Sequence, residues 1–284
     1  MRERQPVYFH TVLRDSVEST YNELHCRNCM KTPPNDGRSI KSDETLFTII
    51  ESLKQTNGAG VTELGDRLDL AKSTVHKHLV SLEHNDYVVN EGGQYRLGLQ
   101  FFSTGIHVRN QYDVYHAAKE RIDKLAFDID EAVWLIVHEN GMGVFVYGVA
   151  HNNSFTFDST IGTRVNLHAN SAGKAILAHL PENEVVDIID HHGLPAQTEN
   201  SITDRETLFD ELEVIRDRGY AMNFQEDLQG LHAISTPVIN DGRPVAGVTI
   251  AGAANRLTEA RIETDLTEPL LEAVNDIELR LVYG

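Results

Sequence analysis

The chain has 284 residues, 40% of them hydrophobic, which is enough for two domains with separate cores. Its 43 acids against 25 bases give a formal charge of −18, so any polyanion partner must be met by a local surface rather than by bulk charge. No apolar run is long enough to span a membrane, and no apolar segment follows the first basic residues as a secretory signal requires; the cytoplasm is the expected compartment.

Residues 1–41 read as a disordered leader or an upstream extension, with Met30-Lys31-Thr32-Pro33-Pro34 resembling a natural start. Cys26 and Cys29, beside His25, have the spacing of half a zinc site. A tetrahedral structural site needs two more ligands, so no metal is expected. Asp43 to about Gln55 has the apolar face of a helix, ended by Asn57-Gly58-Ala59-Gly60. Thr62 reads as the N-cap of a short helix through Leu68, and Asp69-Leu70 as a tight turn. The stretch Leu70–Leu82 then puts Val75, Leu79 and Leu82 on one face, with Ser73, Lys77, Ser81 and His84 opposite. It holds two lysines and no acid. Three helices with a short turn between the last two make a helix-turn-helix. Tyr87–Asn90 and Gln94–Leu97, joined through Gly92-Gly93, add the hairpin of a winged helix. The alternative is a three-helix bundle whose hairpin serves protein contacts.

Helices are predicted over Leu99–Asn110, as a linker, and over Tyr112–Asp128. The period then changes to strands at Ala132–His138, Gly143–Val149 and Phe155–Ile161. Helices follow at Ser171–Leu180, from Pro181 to about Asp190, and from a capping box of Thr203 and Glu206 to Gly219. Strands at about His232–Ile239 and Val245–Gly252 precede a last helix from Thr258, kinked near Pro269. The expected class is α+β: a winged helix over 42–97, a linker over 98–111, and over 112–284 an antiparallel sheet with flanking helices.

Charge is unevenly divided. Residues 1–110 carry 13 bases and 14 acids, whereas 111–284 carry 12 and 29; only 8 of the 25 bases are lysine. An acidic, lysine-poor surface suggests a protein adapted to molar salt, where self-repulsion is screened. In such salt phosphate contacts weaken. Base-edge contacts from Thr74, His76 and Lys77 then matter more, with Lys72 and Ser73 placing the helix on phosphate and Gln94 and Arg96 on the wing.

The run Thr62-Glu-Leu-Gly-Asp-Arg-Leu-Asp-Leu-Ala-Lys-Ser-Thr-Val-His-Lys-His-Leu79 with its hairpin closely resembles the winged helix of IclR-family transcriptional regulators. Leu167–Ala178, Ala233–Val238 and Val245–Gly252 resemble that family's GAF-like effector domain. Ala71 departs from the family, which often has Ser or Thr there; Ser73 is expected to cap instead. The resemblance implies a homodimer or homotetramer on a palindromic operator. It also implies a small effector, a carboxylate or sugar acid of a catabolic or central-carbon pathway, bound without any cofactor. Its anionic group would meet free backbone amides of Ser171 and Ala172. The remaining lining would be Ser154, Phe157, Asn223, Leu231, Ala233, Thr249 and Ala251. A GAF-like sensor acting through protein contacts rather than DNA is the alternative function.

Other residues receive ordinary structural readings. Lys174 is expected in solvent, Gly173 to allow close backbone packing, Trp134 in the core, and His168 as a satisfied structural histidine. Glu226-Asp227 read as a solvated loop, and His151, His191 and His192 lack metal spacing. No nucleophile elbow, P-loop or dinucleotide fingerprint is present, so no catalytic residues are expected.

Overall fold

The computed structural model describes residues 39–150 and 160–284. They fall into two compact units, one ending at Gln111 and one running from Tyr112 to Gly284. Both cysteines, His25, Met30, His151, Ser154 and Phe157 lie outside the described residues. So does the strand expected from Phe155, apart from its end, where Thr160 and Ile161 form a turn.

In the first unit, α1 (Lys41–Thr56) stops at Asn57, which takes the left-handed conformation with φ 53°. Two residues later β1 (Ala59–Gly60), a strand too short to leave a sequence period, pairs with Tyr95 and Gln94. That pairing fixes Gly60 in extended geometry at the start of α2 (Val61–Leu68). The N-cap is therefore Gly60 and not Thr62. Asp69, at φ 53°, and the Leu70 amide donating to the Gly65 carbonyl at 2.9 Å make the tight turn into α3 (Lys72–His84). Strands β2 (Val88–Glu91) and β3 (Gln94–Leu97) form the wing. Gly92 and Gly93, at φ 64° and 92°, supply the two left-handed positions of its turn. One core, of Ile49, Leu53, Leu64, Val75, Leu79, Val88 and Tyr95, holds the unit together. Helix α4 (Gln100–Arg109) follows and buries none of its residues in this chain.

The second unit is a six-stranded antiparallel sheet of order β6-β5-β4-β9-β8-β7. The strands are β4 (Ala132–Glu139), β5 (Met142–Val149), β6 (Arg164–Asn166), β7 (Ala221–Phe224), β8 (Leu231–Asn240) and β9 (Arg243–Ala253). Side chains alternate along each strand. Val133, Leu135, Val248, Ile250 and Ile234 face α5 (Asp113–Ile129) and α10 (Thr267–Tyr283), which close one side of the sheet. Trp134, Ile136, Ala233 and Ala251 face the other way, toward α6 (Ser171–Leu177). Behind α6 lies a further cluster with α7 (Glu182–His192) and α8 (Arg205–Arg218).

Several local expectations change. Asp204 caps α8, its Oδ1 accepting from the Thr207 amide at 3.0 Å, so the Thr203 capping box does not form. Those hydrogen bonds from Thr207 also hold the Asp204 carboxyl below its ordinary pKa. The irregularity near Pro269 lies upstream of it. A short α9 (Glu259–Arg261) runs into a π-helical turn over Ile262–Leu266, with Thr267 Oγ1 donating to the Ile262 carbonyl at 2.8 Å. Pro269 then sits in the first turn of α10, where its missing amide costs little. Trp134 is core, packed edge-on to Phe145 at 5.4 Å. His168 is buried, with its Nε2 donating to the Pro195 carbonyl at 3.1 Å.

Two expectations on stability follow. A Cβ at Gly148 would lie 2.1 Å from Trp134 Cε3. Gly148→Ala should therefore cost about 1–3 kcal/mol by overpacking; an unchanged urea midpoint would show that Trp134 has room to move. Burial pushes the pKa values of both His138 and His168 below the ordinary 6.5. His138 Nε2 also accepts from the Gly141 amide, which an imidazolium cannot do. A depressed folded pKa means that stability is complete above the unfolded value and declines as pH falls below it. Urea unfolding between about pH 7.5 and pH 5 should show that decline, and the double variant His138→Gln/His168→Gln should flatten it.

Candidate functional site

The first candidate surface is α3. Val75, Leu79 and Leu82 fix its inner face in the core, and this sets what remains outside. Lys72, Ser73, His76 and Lys77 are exposed, and Thr74 is half-buried at the margin of the face. The helix begins at Lys72 with Ala71 as N-cap and no side-chain cap, so Ser73 lies inside the first turn and does not cap. No acid occupies that turn. The Thr74 amide closes the turn onto the Ala71 carbonyl at 2.8 Å, while the amides of Lys72 and Ser73, at the positive end of the helix dipole, are left to an outside acceptor. On the wing, Gln94 and Arg96 are exposed, and Arg96 pairs with Glu91 across the hairpin. A phosphate approaching Arg96 would have to displace a surface carboxylate, an exchange of small cost because exposed pairs contribute little.

The second surface is the α6 side of the sheet. Asn223, Ala233 and Ala251 are register partners across β7, β8 and β9, and Trp134 and Ser235 both pair with Thr249. Leu231 lies on the same side, in one cluster with Ala172 and Leu228 of the β7–β8 loop. Ser171 joins through a row of hydroxyls: Ser235 Oγ donates to Ser171 Oγ at 2.7 Å and bonds Thr249 Oγ1 at 2.7 Å. The described members of the expected effector set therefore converge on one face. Period two along β8 places Ser235 with Leu231 and Ala233, a signal that the sequence carried and that the expected set omitted.

The N-terminus of α6 differs from expectation. Asn170 Oδ1 accepts from the amides of Ala172 and Gly173 at 3.0 and 3.4 Å, so the Ala172 amide is already occupied. Asn is a favoured N-cap, which made Asn170 legible. Asn170 Nδ2 donates in turn to Asp227 Oδ2 at 3.1 Å. Asn223 spends both its amide hydrogens inside the chain, on the Ala169 carbonyl and Asp227 Oδ1, each at 3.0 Å.

Lys174 is not in solvent. It is 1% exposed, with Nζ 2.7 Å from Glu226 Oε1 and 3.6 Å from Glu211 Oε1. Helix α6 is wrapped by the sheet on one side and α8 on the other, and every one of its residues is buried. Nor are Glu226 and Asp227 solvated: they are 9% and 6% exposed. Burial pushes the Glu226 carboxyl above its ordinary range, against the pull of Lys174. Lys174 and Glu226 are 52 residues apart, which no sequence pattern could have joined. Among the described residues no group of three or more His, Cys, Asp or Glu is placed to hold a metal ion.

Comparison with known proteins gives the context. A profile described as "Bacterial transcriptional regulator IclR C-terminal" matches residues 106–279, and one described as "IclR helix-turn-helix domain" matches 45–92. The probable HTH-type transcriptional regulator ArcR of Halobacterium salinarum is 31% identical over 86% of this chain and 95% of its own length. The crystal structure of an IclR from Thermotoga maritima is 30% identical, covers 85% of this chain and 97% of that one, and superposes with a TM-score of 0.71. An IclR homologue from Microbacterium hydrocarbonoxydans, solved with 4-hydroxybenzoate, shares the fold at 19% identity with a TM-score of 0.69, over 84% of this chain and all of its own. The matched families and relatives are regulators of transcription, not enzymes. Both parts of the chain are accounted for in order, and the protein belongs to the IclR family of transcriptional regulators.

Proposed function

We propose that residues 42–97 bind double-stranded DNA, that 98–111 link, and that 112–284 bind a small effector that alters DNA binding. The observation that carries the DNA reading is the exposed face of α3 from Lys72 to Ser81, which carries Lys72 and Lys77 and no acid in a strongly acidic chain, behind an N-terminus without a side-chain cap. Lys72 and Ser73 hold phosphate, Thr74, His76 and Lys77 meet base edges in the major groove, and Gln94 and Arg96 meet the backbone from the wing. The operator is palindromic, read by a homodimer or homotetramer in the cytoplasm. The unburied α4, with Phe102 at 65% exposure and the preceding N-cap Leu99 at 83%, supports an assembly that covers it.

The effector occupies the α6 face of the sheet, against Ser171, Ala172, Leu231, Ala233, Thr249 and Ala251, with Asn223 as a fixed support; Ser154 and Phe157 are further effector contacts that the family resemblance implies. It is a small carboxylate or sugar acid of a catabolic or central-carbon pathway; the 4-hydroxybenzoate complex of one fold relative is in keeping with an acidic ligand. Binding couples to DNA through a free-energy difference of about 1–3 kcal/mol between two arrangements of the assembly.

Binding to DNA upstream of the protein's own gene, measured in molar potassium chloride, tests the α3 assignment. Lys77→Ala should weaken specific binding by about 1–3 kcal/mol without altering the thermal midpoint. Arg96→Ala should lower the dependence of log K on log salt by about one. Unchanged DNA binding in both variants would move the weight to a sensor acting through protein contacts. The charge of −18 further predicts that the thermal midpoint rises from dilute buffer to molar potassium chloride; a midpoint independent of salt would remove the case for a molar-salt protein.

A further inference from the structure

We infer that Val80 is a specificity-determining contact of α3, taking the C5 methyl group of a thymine in the major groove, so that the operator carries a thymine at one fixed place in each half-site. The inference rests on the reading of α3 as the DNA-reading helix and adds to it one residue and one base. Val75, Leu79 and Leu82 define the buried side of α3. At 100° per residue the direction opposite them runs among Ser73, Lys77 and His84, with Val80 about 50° away. Thr74 and His76 stand farther round, and Thr74 is half-buried. A recognition helix in the groove offers bases the positions i, i+3, i+4 and i+7, which here are Ser73, His76, Lys77 and Val80.

Nothing in the fold accounts for a valine at this position. Val80 is 47% exposed, and it belongs neither to the core of its unit nor to the partly buried residues packed against that core. Valine is a weaker helix former than alanine because its branched side chain loses freedom against the preceding turn, and at an exposed position no packing offsets this. A single exposed valine is ordinary on a general protein surface. This one is the only large apolar residue of α3 that is exposed, and it stands on the face left over for DNA. Its polar neighbour Ser81 is turned back onto the helix, with Oγ donating to the Lys77 carbonyl at 3.1 Å. Beyond Lys77, Val80 is therefore the next side chain toward the bases.

The chemistry selects the base. In the major groove thymine alone presents a methyl group, which distinguishes T·A from the other pairs by an apolar contact. Val80 has two methyl groups and no hydrogen-bonding atom, so it discriminates by that contact and no other. Lys77 lies three residues earlier, one turn along the same face, so a hydrogen-bonding donor and an apolar reader meet neighbouring base pairs. Phosphate contacts lose affinity as salt rises, whereas an apolar contact is not screened. Val80 thus keeps its discrimination where the charged contacts weaken.

Duplexes selected from a random library by the full-length protein in molar potassium chloride give the operator. Deoxyuridine in place of each thymine in turn then removes the methyl group and keeps the base pair. The wild type should bind about fourfold less tightly per half-site when one particular thymine is replaced. Val80→Ala should bind the thymine operator less tightly by a similar factor and show no difference between thymine and deoxyuridine at that place. Lys77→Ala should weaken both duplexes and keep the difference between them. Val80→Ala should also leave the thermal midpoint and the oligomeric mass unchanged; a fall in either would show that Val80 packs on protein and would overturn the inference. So would an operator whose thymines can all be replaced without loss, or a methyl effect that persists in Val80→Ala. Selection of no preferred sequence by the wild type would instead remove the reading of α3 as a DNA-reading helix, and the role of Val80 with it.

Discussion

The close approach of α6 to its neighbours is the constraint on which the effector unit depends. A Cβ at Gly173 would lie 2.2 Å from the Leu167 carbonyl oxygen, and one at Gly247 would lie 2.8 Å from the Ala172 side chain. Only glycine at both positions lets a helix lie this near to both a 3-10 turn and a strand. Once α6 is held there and covered by α8, Lys174 has no route to water. A buried ammonium must then be paired, and Glu226 and Glu211 supply the charge from different elements. The geometry of two glycines thus selects the charges around them. It also brings the β7–β8 loop, which carries Glu226, Asp227 and Leu228, onto the edge of the face where Ser171, Ser235 and Thr249 meet.

Two kinds of electrostatics coexist in the protein, and salt separates them. Surface acids, concentrated beyond residue 110, repel one another across water and are screened within a few ångströms in molar salt. The pair of Lys174 with Glu226 is shielded by protein and keeps its attraction, and the buried Glu131, clasped by the partly exposed Arg256 and Arg261, is screened less than a surface pair. On the proposed reading of a molar-salt protein, a chain of this composition would gain from salt what it lacks in surface balance, without loosening the pairs that hold its interior.

What the sequence made legible was whatever repeats locally. The apolar stripe of α3, the glycine pair of the wing and the alternation in β4, β8 and β9 each follow from a period or a turn residue within a few positions. Less legible were elements that exist because of distant partners. Strand β1 has two residues and is a strand only because β3 lies beside it. Three-residue β6 pairs with β5, and β7 with β8, on the same terms. Lys174 was misread because a lysine one turn into a helix is ordinarily solvated, and local sequence does not show that this helix is covered on every side. Glu226 and Asp227 were misread likewise, since a Gln-Glu-Asp run before a glycine looks like any surface loop. The capping residues moved by one or two places because hydrogen bonds, not residue type alone, decide where a helix begins.

The bare start of α3 carries a final consequence. A serine or threonine at position 71 would complete the first turn in the free protein and strengthen the helix by about 1 kcal/mol. Alanine forgoes that gain. In the proposed mode of binding, the missing acceptor is a nucleic-acid phosphate, so the nucleic acid finishes a secondary-structure element that the polypeptide leaves incomplete. Folding and docking then draw on the same hydrogen bonds. A chain that surrenders a little of its own stability at this one turn makes its reading helix most regular when it lies on a duplex.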